Sequence, residues 1–140
     1  MMRMIMACLC LCVLSAAQAD DTLAVAQTVA VYGAAWNQTD AASVHKFLDK
    51  AWADKGQYAD PTIAVRGRDE LTAYILKFRA KVGAAQLALR WPVAVHHGWF
   101  SFAWEVVAPD GSVTLKGVDI GQLAGDGRIK RIVGFFDTQI

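Results

Sequence analysis

The spacing of apolar residues changes period once along this chain. Between positions 22 and 81 apolar residues recur three and four apart, the spacing of one helix face; from position 86 onward they alternate, the spacing of a strand. Leu23, Ala26, Val29, Ala30, Gly33 and Ala34 predict a helix over residues 22–36, broken by Asn37-Gln38-Thr39-Asp40. Asp40 is placed to cap a second helix, residues 41–48, with Val44, Phe47 and Leu48 inward. Residues 57–61 predict a short strand stopped by Pro61, and residues 63–65 another. Asp69 is expected to cap a third helix, residues 70–81, with Leu71, Tyr74, Ile75 and Phe78 on one face.

The alternating half predicts four strands, residues 86–95, 99–107, 112–123 and 129–136. His97-Gly98, Pro109-Asp110-Gly111 and Gly125-Asp126-Gly127 lie between them, and turns this short join antiparallel neighbours. Helices first and a long meander after give an α+β fold: three N-terminal helices on a curved, mostly antiparallel sheet. A sheet curved over helices leaves room for an apolar pocket, and Gly117, Gly121 and Gly134 suit its bends.

One residue breaks the strand pattern. Asp119 stands among Val, Ile and Leu, on the same alternation face as Val113, Leu115, Gly117 and Leu123. An acid on an apolar face is costly unless it is paired or protonated. In a dry pocket its pKa should rise, and a protonated carboxyl can donate to a developing oxyanion. A purely structural acceptor role is the alternative. His96 and His97 are neighbours and point to opposite strand faces, so they cannot share one metal in regular geometry. No Cys/His spacing suits a metal, and no glycine-rich loop matches a phosphate or dinucleotide signature; neither metal nor cofactor is expected. The five tryptophans, and Phe100, Phe102 and Trp104 on one face of one strand, suit either core packing or a cavity for a flat apolar ligand.

The first nineteen residues change how the composition is counted. Arg3, an apolar run over residues 5–14 and Ala17-Gln18-Ala19 make the pattern of a secretory signal cleaved after Ala19; a retained anchor or a lipoprotein are the alternatives. Residues 20–140 would then form one domain in the periplasm or outside the cell. Cys8, Cys10 and Cys12 all fall in the leader, so the mature chain would have no disulfide. Removing Arg3 leaves 13 basic against 13 acidic residues, with no basic surplus for nucleic acid or an anionic membrane.

Three stretches resemble the NTF2-like superfamily, and within it the SnoaL-like polyketide cyclases and ketosteroid isomerases. They are Tyr32-Gly-Ala-Ala-Trp36-Asn37, then Tyr58-Ala-Asp60-Pro61 with Gly67-Arg68-Asp69-Glu70-Leu71, and the final hairpin ending Gly134-Phe135-Phe136-Asp137. The resemblance spans residues 29–137 and implies a cone with a deep apolar pocket. It implies that Tyr32 is the phenolic oxyanion donor, Asp60 the proton-abstracting carboxylate and Asp119 a second, neutral donor. The chain departs from that pattern in being a few residues longer between Tyr32 and Asp60. Trp36, Tyr58, His96, Phe102 and Trp104 are expected to touch a small apolar molecule. The implied activity is a proton shift α to a carbonyl; the alternatives are a non-catalytic binding or carrier domain and a protein-interaction domain. Relatives that pair through the sheet imply a homodimer.

Overall fold

The structure is a computed structural model that describes residues 6–137, with side chains from position 18 onward. The first five leader residues and the last three residues of the chain lie outside it. Helix α1 (Met6–Ala35) takes in the rest of the expected leader and the predicted first helix as one segment. Its buried face is Val25, Val29, Tyr32, Gly33 and Ala35, with Trp36 just past its end; of the predicted stripe Val29 and Gly33 are buried, Ala26 and Ala34 are half-buried, and Leu23 and Ala30 are exposed. The two large aromatics take the inward positions, and Leu23 is 59% exposed. Gly33 lets α1 approach the sheet closely: a Cβ there would meet Leu89 Cδ1 at 2.7 Å.

Helix α2 (Ala41–Ala51) starts as expected, with the Asp40 carboxylate accepting from Ser43 N at 2.9 Å. Val44, Leu48 and Ala51 are buried. Helix α3 (Gly67–Val82) begins earlier than Asp69 would allow. Arg66 is its N-cap, and Arg66 N donates to Glu70 Oε2 at 2.8 Å, so Glu70 reaches back to the cap where Asp69 was expected to act. Asp69 sits in the first turn, where its charge favours the helix dipole.

Six strands form one sheet in the order β2-β1-β6-β5-β4-β3. They are β1 (Trp52–Asp60), β2 (Ile63–Arg66), β3 (Gln86–His96), β4 (Trp99–Val107), β5 (Val113–Leu123) and β6 (Ile129–Phe136). Strand β1 is longer than predicted, because residues 52–56 extend it across a register shift between Trp52 and Gln57. It pairs with β2 antiparallel and with β6 parallel; the remaining pairs are antiparallel. The result is an α+β fold, three helices packed on a curved, unclosed sheet: an NTF2-like cone.

On β4, Phe100, Phe102, Trp104 and Val106 point into the cone. Opposite them on β5 stand Gly117, Asp119 and Gly121. The glycines are required by the rings: a Cβ at Gly121 would meet Phe100 Cζ at 2.2 Å, and one at Gly117 would meet Trp104 Cζ2 at 2.5 Å. Val113 does not join this inward face. A register shift between Val106 and Val107 puts it past the bulge, 47% exposed.

Candidate active site

A cavity of about 350 Å³ lies between the helices and the concave face of the sheet. Every element except α2 lines it. Helix α1 supplies Tyr32 and the turn after it Trp36, β1 supplies Tyr58 and Asp60, β4 supplies Phe102 and Trp104, and β5 supplies Leu115 and Asp119. The walls are mainly aromatic and aliphatic. Seven of the eight expected site residues therefore meet around one space. His96 does not: it is exposed at the end of β3, paired with Trp99 beside the His97-Gly98 turn, at a distance from the cone interior. His97 holds a left-handed φ of 51° in that turn.

Asp119 is 5% exposed and accepts from Trp104 Nε1 through Oδ1 at 2.8 Å. Its second oxygen has no hydrogen bond among the described residues. Burial pushes its pKa up to about 7, the Trp104 bond holds it back in part, and the nearby Asp60 charge adds to the rise. Gly134, its cross-strand partner on β6, makes the room: a Cβ there would lie 3.0 Å from Asp119 Oδ1, 3.6 Å from Asp60 Cβ and 3.6 Å from the Tyr58 hydroxyl. The two acids and a phenol thus converge over a residue without a side chain.

Asp60 lives in another environment. Its carboxylate accepts five hydrogen bonds: from Tyr58 Oη (2.9 Å) and Tyr74 Oη (2.5 Å) on Oδ2, and from Thr62 N (2.7 Å), Thr62 Oγ1 (2.8 Å) and Ile63 N (3.1 Å) on Oδ1. Partial burial opposes ionisation, but the donors of Tyr74, Thr62 and Tyr58 outweigh it and lower the pKa. Its own burial, and then the same contact, raise Tyr74 to about 12. Tyr74 and Thr62 were not singled out in the sequence. Tyr74 sat on the predicted inner face of α3, and only the fold shows that its hydroxyl reaches β1.

Tyr32 and Trp36 carry two further polar atoms of the inner wall. The Tyr32 hydroxyl and Trp36 Nε1 are fully buried and lack a hydrogen bond of full geometry among the described residues, although the Trp36 indole lies close enough to the phenol to hold its pKa down in part. Burial, with the Asp119 charge next, holds the Tyr32 pKa well above its usual value, so the phenol stays protonated. A buried unpaired donor costs about 1–3 kcal/mol. Two such groups lining one cavity favour an incoming oxygen that can accept from them. Among the described residues no group of three or more His, Cys, Asp or Glu is placed to hold a metal, and no helix is long and apolar enough to cross a membrane.

An apolar cone with paired acids and a buried phenol defines the class of NTF2-like small-molecule-binding folds. An NTF2-like protein from Exiguobacterium sp. 255-15 has this fold, with a TM-score of 0.62 at 18% identity over 80% of this chain and 99% of that one. A protein with a ketosteroid isomerase-like fold from Catenulispora acidiphila, solved in complex with trimethylamine, gives 0.64 at 14% identity, covering 79% and 85%. A SnoaL-like family member from Agrobacterium tumefaciens str. C58, provisionally named an isomerase, gives 0.75 at 32% identity, covering 84% of this chain and 98% of that one. This chain belongs to the SnoaL-like family. No family model and no curated protein matches it.

Proposed function

We propose that this protein is an isomerase- or cyclase-type enzyme that moves a proton α to a carbonyl in an apolar compound. The observation that carries the reading is the inequality of its two aspartates. Asp119 has a pKa near neutrality and an unbonded oxygen at the cavity, which suits a group that takes and returns a proton at pH 7. Asp60 is ionised and tied by five donors, so it is a poor base and a good anchor for Tyr58 and Tyr74. In this reading Asp119 abstracts the α-proton, and Tyr32 with Trp36 Nε1 donates to the oxygen that becomes an enolate. Asp119 then delivers the proton to another carbon. These assignments exchange the roles that the resemblance implied for Asp60 and Asp119. The isomerase name of the Agrobacterium relative agrees with the reaction class.

The test is solvent-deuterium exchange into a panel of enolisable ketones by the purified protein. Exchange should fall at least a hundredfold in Asp119→Asn and less than tenfold in Asp60→Asn, consistent with the usual weight of general-base catalysis. The rate below pH 7 should rise about tenfold per pH unit, because the base form is needed. A profile that falls through neutrality, or exchange lost only in Asp60→Asn, would restore the implied roles.

The proposal includes export and pairing. The leader pattern of residues 1–19 supports a periplasmic or secreted protein. On the outer face of the sheet, Val118, Ile120 and Phe135 are 44%, 41% and 57% exposed; Val118 is registered against Phe135. That apolar face supports a homodimer, which light scattering would read as twice the monomer mass.

A further inference from the structure

The opening of the cavity has a charge pattern that its interior lacks. Along α3, Tyr74, Lys77, Phe78, Lys81 and Val82 follow one another at helical spacing, and all five line the cavity. Tyr74 is held to Asp60; Phe78 packs on Trp36 with ring centroids 5.3 Å apart. The two lysines are exposed while still facing the cavity, so they mark its mouth. Neither has a carboxylate partner among the described residues. Arg68, Arg90 and Arg128, by contrast, are paired with Asp49 and Asp54, with Glu105, and with Asp54 and Asp126. Leu87, Leu115 and Phe136, which also line the cavity, bring no charge to it.

The inner groups carry the opposite sign. Asp60 is ionised and Asp119 is partly so, and both would repel an anion that entered first. The arrangement runs from two exposed lysines on α3 at the rim, past the half-buried Asp60 on the Tyr74 side, to the buried Asp119 at the depth. From Tyr74 to Lys81 the helix axis covers about 10 Å, roughly the length of two fused rings. We propose that the ligand of this cavity is an amphiphilic anion: an apolar body inside, its carbonyl toward Tyr32, and a carboxylate, sulfonate or phosphate group held at the mouth by Lys77 and Lys81. The inference deepens the reading above, since it assumes that the cavity takes an apolar carbonyl compound, and it adds the charge that fixes which end enters.

Two dyes with the same ring system test it. 1-Anilinonaphthalene-8-sulfonate carries an anion; N-phenyl-1-naphthylamine is the uncharged counterpart. Fluorescence titration of the full chain should show tighter binding of the sulfonate at low salt, and the preference should shrink as salt is raised. In Lys77→Gln/Lys81→Gln the sulfonate should bind about fivefold to tenfold more weakly, as two partly exposed ion pairs would supply. The neutral dye should be unchanged. Leu115→Trp, which fills the cavity, should weaken both dyes and so places them inside. Equal binding of both dyes, or a double variant that keeps the sulfonate preference, overturns the anion and leaves the apolar pocket standing. Binding of neither dye, or of both unaffected by Leu115→Trp, removes the pocket itself and both readings with it.

Discussion

Asp119 and Asp60 are both strand aspartates at one cavity, and their surroundings drive them apart. Asp119 has one indole donor and burial; Asp60 has five donors and partial exposure. The raised pKa of Asp119 has a cost in stability. The folded state prefers the protonated form, so its contribution is fully present below about pH 4 and is lost as pH rises through about 7. That is about three pH units at about 1.4 kcal/mol each, up to roughly 4 kcal/mol. Asp119→Asn keeps an acceptor for Trp104 and cannot ionise. Urea melts should therefore show the variant more stable than the parent at pH 8, with the gap closing toward pH 4. A gap independent of pH would mean that Asp119 does not titrate in this window. Gly134→Ala is the companion test, because the new methyl would sit 3.0 Å from Asp119 Oδ1. The carboxyl must shift, and the deuterium-exchange rate should drop about tenfold or more, as misplacement of a reacting group predicts, with the melting temperature little changed.

Among the elements, those that rest on local chemistry were legible in the sequence and those that rest on contact were not. The α2 cap could be read because Asp40 and the Ser43 amide lie three residues apart. Asp40→Ala should lower stability by about 1 kcal/mol, seen as a shift of the urea midpoint at unchanged slope. The α3 start was misplaced because Asp69 and Glu70 are adjacent acids, and only backbone geometry decides which one reaches the cap. The buried face of α1 was read only in part, with Val29 and Gly33 right and Leu23 and Ala30 wrong, for a related reason. Small residues at helical spacing gave a plausible stripe, but the core selected the large rings of Tyr32 and Trp36. The inward turn of Asp119 was legible from alternation. That Gly117 and Gly121 flank it to receive the rings of Trp104 and Phe100 was not, since it depends on the β4–β5 register. The Tyr74–Asp60 bond joins α3 to β1 across fourteen residues, and no local pattern announces it.

At the scale of the molecule, Val25 is the first buried hydrophobic side chain of α1 among those described from position 18 onward. A chain that begins at Asp20 should accordingly melt within about 3 °C of the full chain by calorimetry; a larger loss would mean that the preceding segment packs on the domain. The sheet imposes a different order of events. Strand β6 is the only strand that joins the β1–β2 hairpin to the β5–β4–β3 meander among the described residues. Among the described residues it is also the last strand in chain order. While the chain is still emerging from the ribosome, β1 has no neighbour but β2 and the meander has an open edge. Pairing between positions more than seventy apart, as at Gln57 and Arg131, must wait for β6. Until β6 is in place, each half of the sheet keeps an unpaired edge, and such an edge can accept a strand from another chain.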